Sequence, residues 1–489
     1  MSGYEAVIGL EVHAQLLTQS KMFCGCSAQY AAAPPNTVVC PVCLGLPGAM
    51  PVINRKAIEY TIMTGLALNC RIPEFSQFDR KNYPYPDLMK GYQISQYAWP
   101  LAVEGWLTVD SQGKTRRIGI RRVHLEEDTA KLTHVVSPSG ESYSLVDVNR
   151  SGVPLMEIVS EPEISSPEEA RLYLMKLRTI LQYLGVSTGS MEEGAFRVDA
   201  NVSVRPAGSA ELGVKVEVKN MNSFRAVERA LEYEVVRQAE VLNSGGRIVQ
   251  ETRGWVEERG LTVSQRTKEF AHDYRYFPEP DLPPMVLSGA WVAEIRSRLP
   301  ELPDARKQRF IETLGLSPYD AGVLTGSKAV ADYFEAVAAM YPNPKVVSNW
   351  VSGELFRLLK AQNVDIQDVR VRPEDLAEML NLIDKGTISG RMAKQVFEEM
   401  FTTGKSAAQI IAERGLAQIS DREELETQVD QVLAANPQAV EDYRAGKRQA
   451  AGFLVGQVMK ATKGKANPTV VNELLKARLG SPDSGGTAK

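Results

Sequence analysis

In Arg197-Val-Asp-Ala-Asn-Val-Ser-Val-Arg205, the residues Val198, Ala200, Val202 and Val204 alternate with Arg197, Asp199, Asn201, Ser203 and Arg205. A period of two sends neighbouring side chains to opposite faces, so the run predicts a strand with one buried and one polar face. Val214, Val216 and Val218 alternate with Lys215, Glu217 and Lys219 in the same way, after a connection holding Pro206, Gly208 and Gly213. The two runs predict an antiparallel hairpin. A charged outer face is also what an ordinary solvent-exposed sheet carries, so the hairpin alone implies no site. Two more polar combs change the weighting. Ala6, Ile8, Leu10, Val12, Ala14 and Leu16 oppose Glu11, His13 and Gln15, while Val123, Leu125 and Glu127 oppose His124, Glu126 and Asp128. If these strands share a sheet, its open polar face gathers carboxylates whose repulsion calls for cations among them. Hard oxygen donors favour magnesium, alone or with a nucleotide.

The chain has 489 residues and a formal net charge of −4. That length suits about two to four domains. Its acidity argues against nucleic-acid binding over the whole surface but leaves room for a local basic patch. No apolar run approaches the roughly 18 residues of a spanning helix. Met1-Ser-Gly-Tyr-Glu5 lacks the basic and apolar regions of a secretory signal, so the expected location is cytoplasmic, away from membranes. There the five cysteines are not expected to form disulfides. Cys24-Gly-Cys26 and Cys40-Pro-Val-Cys43 stand thirteen residues apart, a spacing that predicts a structural zinc site built from four thiolates. The alternatives are reduced loop thiols or a redox pair. Cys70 reads as a small core residue.

Along the chain, Asn54 predicts the cap of a helix running to Leu68. The prolines and glycine between Asp79 and Gln96 predict a loop without regular structure, whose Arg80, Lys81, Tyr83, Lys90 and Tyr92 either meet phosphates and a base or simply pack. Gly113-Lys114-Thr115 ends like a phosphate-binding loop, but Thr108 occupies the position of its first glycine, so a hairpin turn is expected. Strand patterns continue from Leu145 to Arg150 and from Val153 to Ser160, adding Asp147, Asn149 and Glu157. Ser166, Pro167 and Glu169 predict a helix start with a capping box, and Gly185 its end; a second helix is expected from Ser223 to about Leu242. Packed on the apolar side of the sheet, these helices leave its polar side as a cradle. Aromatic, arginine and proline residues between His272 and Pro284 suggest a rigid ligand-facing loop.

The expected class is therefore α+β: a cradle-like, mainly antiparallel sheet domain over 1–294 with the cysteine insert at 24–43, an all-helical domain over 295–403, a helical tail over 404–480 and disorder over 481–489. Between Arg444 and Gly480 eight Lys or Arg stand against the single acid Glu473, which reads either as a solvated face or as RNA-backbone contact through Lys460, Lys463, Lys465, Lys476 and Arg478.

Several runs carry a resemblance: Val7-Ile-Gly-Leu-Glu-Val-His13, Asp87 to Gln96, His124-Leu-Glu-Glu-Asp128, Asp147 to Glu157, Arg197-Val-Asp-Ala-Asn201, Glu217-Val-Lys-Asn220, Asp273 to Pro283 and Gly464-Lys-Ala-Asn-Pro468. Together, and in this order, they resemble the B subunit of the tRNA-dependent aspartyl/glutamyl amidotransferase. The resemblance covers nearly the whole chain. It implies a ligase subunit of the heterotrimeric GatCAB complex, with the amidase (the A subunit) and a small protein (the C subunit) as partners. Such enzymes use ATP to convert Glu-tRNA(Gln), and often Asp-tRNA(Asn), to the amidated forms. On that pattern Glu11, His13, Glu126, Asp199 and Glu217 match the magnesium and phosphoryl-transfer positions. Lys81, Lys90 and Asp273 match polar positions near the ammonia path. Asp199, Asn201, Arg150 and Lys219 are the candidates for holding the nucleotide.

The chemistry is consistent with that implication. A carboxylate reacts poorly with ammonia because oxide would have to leave, whereas an acyl phosphate carries a usable leaving group. The chain itself shows no activated nucleophile of a glutaminase once four cysteines are assigned to zinc. Two other classes stay open at this level. One is a magnesium-dependent nuclease or phosphatase built on the same carboxylates; the other is a zinc-stabilised RNA-binding scaffold without catalysis.

Overall fold

The computed structural model describes residues 3–111, 113–267, 274–416, 422–445, 447–462 and 465–480. Asp273, Lys463 and the terminal stretch 481–489 lie outside them. The chain divides into two compact units, Met1–Pro303 and Asp304–Lys489.

The first unit carries β1 (Tyr4–Gln15), α1 (Arg55–Ala67), β2 (Phe75–Ser76), β3 (Asp79–Asn82), β4 (Tyr92–Ser95), β5 (Ala102–Ser111), β6 (Lys114–Glu127), β7 (Lys131–Val136), β8 (Ser142–Asp147), β9 (Pro154–Ser160), α2 (Pro167–Leu184), β10 (Phe196–Pro206), β11 (Val216–Lys219), α3 (Phe224–Asn243), β12 (Glu251–Val256), β13 (Leu261–Thr267), β14 (Phe277–Pro278), β15 (Met285–Val286) and α4 (Gly289–Ser297). Eight strands form one sheet in the order β13-β12-β11-β10-β1-β9-β6-β5. All neighbours are antiparallel except β11 and β12.

The alternation of apolar residues explains the core. Ile8, Leu10, Val12, Val198, Ala200, Val202, Val216 and Val218 are buried in one cluster with Leu174, Leu177 and Leu181 of α2 and Val227, Ala230 and Leu231 of α3. The helices thus cover the apolar face, and polar side chains take the other. Asn54 caps α1 through Lys56 and Ala57, Ser166 caps α2 through Glu169, and Gly185 ends α2 at φ 67°. The expected capping box is displaced by one residue. The Glu169 carboxylate accepts the backbone N–H of Ser165, at 2.8 Å, and pairs with Arg116, also at 2.8 Å, which draws it away from Ser166. Gly113, at φ 74°, turns β5 into β6 as expected.

Four local expectations change. β11 begins only at Val216, and Val214 is left exposed because the ladder with β10 stops at the pair Val202↔Val216. The stretch 79–96 is not irregular throughout: β3 and β4 pair with each other and β14 joins them, with Pro84, Pro86 and Gly91 confined to the connection. The strand expected through Arg150 stops at Asp147, whose carboxylate accepts the Asn149 N–H and starts a 3-10 turn over Val148–Arg150. The polar comb of β6 lies at the floor of a cleft and is not on an exposed face: His124, Glu126 and Asp128 are no more than 3% exposed. Cys70 is a core residue, its thiol pushed up to about 12 by burial.

From Asp304 onward the regular structure is helical throughout the described residues. Two apolar clusters form there, one from Phe310 to Ile411 and one from Leu425 to Leu475. Gly404 caps the helix Gly390–Thr403 at φ 74°, yet Ala407, Ile410 and Ile411 of the following helix still belong to the first cluster. A glycine cap ends a helix without ending a core.

Candidate active site

Cross-strand register builds the site. Residues opposite each other in a ladder point to the same face. β1 sets Glu11 against Asp199 of β10 and His13 against Glu157 of β9. β9 sets Glu157 against His124, and β10 sets Asn201 against Glu217 of β11. Acids as far apart in the sequence as Glu11 and Glu217 therefore meet on one polar face.

They form two triads. His13 Nε2 lies 3.6 Å from Glu126 and 3.5 Å from Glu157, and His124 Nε2 lies 3.2 Å from Glu157. Glu11, Asp199 and Glu217 make the second group, and within each triad the candidate ligand atoms lie within 4.8 Å of one another. Asn201 donates to Glu11 at 3.0 Å, Lys219 to Asp199 at 2.7 Å, and Thr252 to Glu217 at 2.7 Å. Both triads open on a cleft of about 880 Å³, walled on the other side by Lys81, Tyr83, Tyr97, Tyr274 and Tyr276. That size suits a small-molecule substrate.

Electrostatics keeps the cleft charged. Burial works against a charged His13, but Glu157, Glu126 and Asp199 raise it to about 9. Burial likewise opposes charge on Glu157, yet His124 and His13 hold its carboxyl well below the carboxylate range. Desolvation likewise opposes charge on the half-buried Lys81, yet Glu126 with the phenols of Tyr276 and Tyr83 raises its pKa, so it stays cationic. Its Nζ stands 5.1 Å from the Tyr274 ring and 5.6 Å from the Tyr83 ring. Lys219 is raised in the same manner: burial is outweighed by Asp199 and Glu217. Such perturbed groups converging in a cleft mark a functional site.

Comparison with known proteins bears on what this cleft does. The GatB/GatE catalytic domain matches residues 6–293, and the GatB domain matches residues 332–479. A Moorella thermoacetica protein, named as the B subunit of aspartyl/glutamyl-tRNA(Asn/Gln) amidotransferase, is 62% identical over 476 residues, 97% of this chain and 100% of its own. The chain belongs to the GatB family. Its members of the same name from Carboxydothermus hydrogenoformans and Thermomicrobium roseum are 59% and 58% identical, each over 98% of this chain and 99% of their own.

In this GatB-family chain Glu11, His13, Lys81, Glu126, Asp199, Glu217 and Lys219 line one cleft, and Asn201 holds Glu11 from beside it. Other sequence candidates lie elsewhere. Arg150 is occupied by the carbonyls of Thr129 and Ala130, at 2.9 Å each, and faces Asp128. Lys90 pairs with Glu127 at 2.6 Å, and both line a separate cavity of about 180 Å³ together with Cys24 and Cys43. Arg80 is held by Glu279 and Asp281 and lies over the Tyr92 ring, so it is not a free phosphate contact. Glu157 is the ligand candidate that sequence reading passed over, and His124 backs it from β6 at 3.2 Å. The one signal for Glu157 is a single carboxylate within Leu155-Met-Glu-Ile-Val159, a run buried along most of its length.

The sulfur atoms of Cys24, Cys26, Cys40 and Cys43 also lie within 4.8 Å of one another, a donor set able to hold a metal. In the last helices Lys460 and Lys476 are exposed, and Lys465 is half-buried. Arg478 is instead paired with Asp430 at 2.9 Å and Glu426 at 3.2 Å, acids that stand outside the stretch whose charge suggested it. Among the described residues no helix is long and apolar enough to cross a membrane.

Proposed function

We propose that this chain activates the carboxylate and binds the tRNA within a cytoplasmic aspartyl/glutamyl-tRNA amidotransferase, working with the amidase (the A subunit) and the small C subunit of the same complex. It acts on Glu-tRNA(Gln), Asp-tRNA(Asn) or both. The observation that carries the reading is the pair of acidic triads side by side along β1, with Lys219 bonded to Asp199 of the second triad and Lys81 lining the same cleft. The names of the full-length relatives support the substrate and the partners.

The side-chain carboxylate of the aminoacyl group attacks the γ-phosphorus of ATP and ADP departs; ammonia then attacks the acyl carbon and phosphate leaves. Glu11, Asp199 and Glu217 have the hard oxygen donors that suit one magnesium ion, and Glu126 and Glu157 with His13 suit a second. Divalent cations there would neutralise the charge of the polyphosphate and of the moving phosphoryl group. His13 must shed its proton before its nitrogen can act as a ligand. Lys219 and Lys81 remain cationic and add counter-charge from the protein. Asn201 and Thr252 orient Glu11 and Glu217 through their hydrogen bonds. The four tyrosines around Lys81 limit water at the acyl phosphate. Zinc at the four cysteines is structural, since four protein ligands leave no open position.

The test is ADP formation by the co-expressed complex with ATP, magnesium and Glu-tRNA(Gln), without any ammonia donor. ADP is expected only when the misacylated tRNA is present. ADP release indifferent to that tRNA, or tRNA cleavage without ADP, rejects the reading.

For the tail, Lys460, Lys463, Lys465 and Lys476 are the candidates for the tRNA backbone. Because Ala407, Ile410 and Ile411 complete the preceding core, the informative truncation falls after Leu416. It is expected to raise KM for tRNA about tenfold or more while leaving kcat within about twofold, as loss of several phosphate contacts would. An unchanged KM removes the tail from tRNA binding.

A further inference from the structure

Lys21 stands three residues before Cys24 and is fully buried. Its Nζ donates to the carbonyl of Val38 at 2.9 Å, two residues before Cys40, and that carbonyl is its side-chain partner among the described residues. A buried ammonium without an anionic partner is costly. Elsewhere in this unit the deeply buried charges are paired, as Glu234 is with Arg237 and Arg253. Lys21 has no such acid among the described residues, and the potential anions around it are sulfur. A Cβ on Gly152 would lie 3.6 Å from Lys21 Cδ and 3.7 Å from Cys43 Cβ, so the two side chains flank one glycine backbone. The Lys21 backbone N–H also donates to the Cys26 carbonyl at 2.9 Å. The residue is thus tied by its backbone to the first cysteine pair and by its side chain to the segment entering the second.

We propose that Lys21 is the built-in counter-charge of the four-cysteine site, a positioning residue whose ammonium offsets part of the negative charge of the metal-loaded tetrathiolate. This rests on the reading that the four cysteines bind zinc. Four thiolates around one divalent cation carry two surplus negative charges, and burial makes that surplus expensive unless a fixed cation stands close. Lys21 removes one of the two and pins the Val38 carbonyl, which sets the path of the chain into Cys40. The same ammonium is a burden when the metal is absent and the thiols are protonated. The sign of its contribution to stability therefore depends on metal.

The experiment uses the full chain as wild type, Lys21→Met, Lys21→Gln and Lys21→Arg, with zinc content, competition against a chromophoric zinc chelator, and melting with and without zinc. Wild type is expected to hold one zinc per chain. Lys21→Met and Lys21→Gln are expected to bind it about 10- to 100-fold more weakly, the usual effect of losing a partner just outside the ligand shell. Lys21→Arg should stay close to wild type. Lys21→Met should melt below wild type when zinc-loaded and at or above it when zinc is stripped, a reversal that simple loss of packing does not produce. Glutamine keeps a donor for Val38 without the charge, so wild-type affinity in Lys21→Gln, or the same melting offset with and without zinc, overturns the counter-charge role while sparing the zinc site. A wild-type chain that holds no zinc overturns the metal reading itself, and the counter-charge role with it.

Discussion

Replacing Glu217 by alanine is expected to reduce tRNA-dependent ADP formation by the assembled complex by about a thousandfold, with tRNA affinity within about twofold of wild type. Glu217 faces Glu11 and Asp199 across β10 and is oriented by Thr252. Its loss removes charge where a cation and the transferring phosphoryl group are to be held, and removing one preorganised electrostatic group of this kind costs roughly 10²–10³ in rate. Thr252→Val should cost less, about 10-fold, because the hydroxyl acts through Glu217. Higher magnesium should recover part of the Glu217→Ala loss if the residue holds a cation. Measuring ADP at several magnesium concentrations separates the cases: full activity in Glu217→Ala moves the phosphoryl-transfer centre out of the cleft, whereas a loss that magnesium does not touch argues for a role other than ligation.

Asp128→Ala is expected to destabilise the first unit by about 3–5 kcal/mol, the range for breaking a buried ion pair from one side. Asp128 is 3% exposed, lies 3.1 Å from Arg197 and 3.7 Å from Arg150, and accepts from Gln15 at 2.7 Å. Burial would raise its pKa, but Arg197 and Arg150 hold it below the ordinary 3.8. A depressed folded-state pKa stabilises above the unfolded value and loses that contribution as pH falls through the folded one. The deficit of Asp128→Ala should therefore be constant from pH 7 to about pH 5 and shrink below about pH 4. Urea unfolding at a series of pH values checks both size and sign. A variant as stable as wild type but inactive would assign Asp128 to catalysis and not to the fold.

That residue illustrates how sequence and fold divide the information. His124-Leu-Glu-Glu-Asp128 reads as one polar motif, yet its members go to different tasks. Glu126 joins the first triad and His124 pairs with that triad's Glu157, Glu127 faces away to pair with Lys90, and Asp128 anchors Arg197 and Arg150. Alternation predicts opposite directions for Glu126 and Glu127, but not what each meets. The same holds for Arg478, whose charge looks free within its own stretch and is balanced by Asp430 and Glu426 from another helix.

What the sequence by itself determined is what depends on neighbours within a few residues. The two-residue period of Val198 to Val204, the caps at Asn54, Ser166 and Ser223, the turn at Gly113 and the cysteine spacing all act over one or two turns of chain, so their outcome is legible locally. Only the tertiary structure decided the strand order. It sets β1 between β9 and β10, and so divides the carboxylates into one triad with His13 and another with Asp199 and Glu217. It also sank the β6 comb to the floor of the cleft and turned Lys90, Arg80 and Arg150 to internal partners. The physical reason is that register between distant strands is chosen by the burial of whole apolar faces, a property of the complete sheet and its helices that no single segment contains.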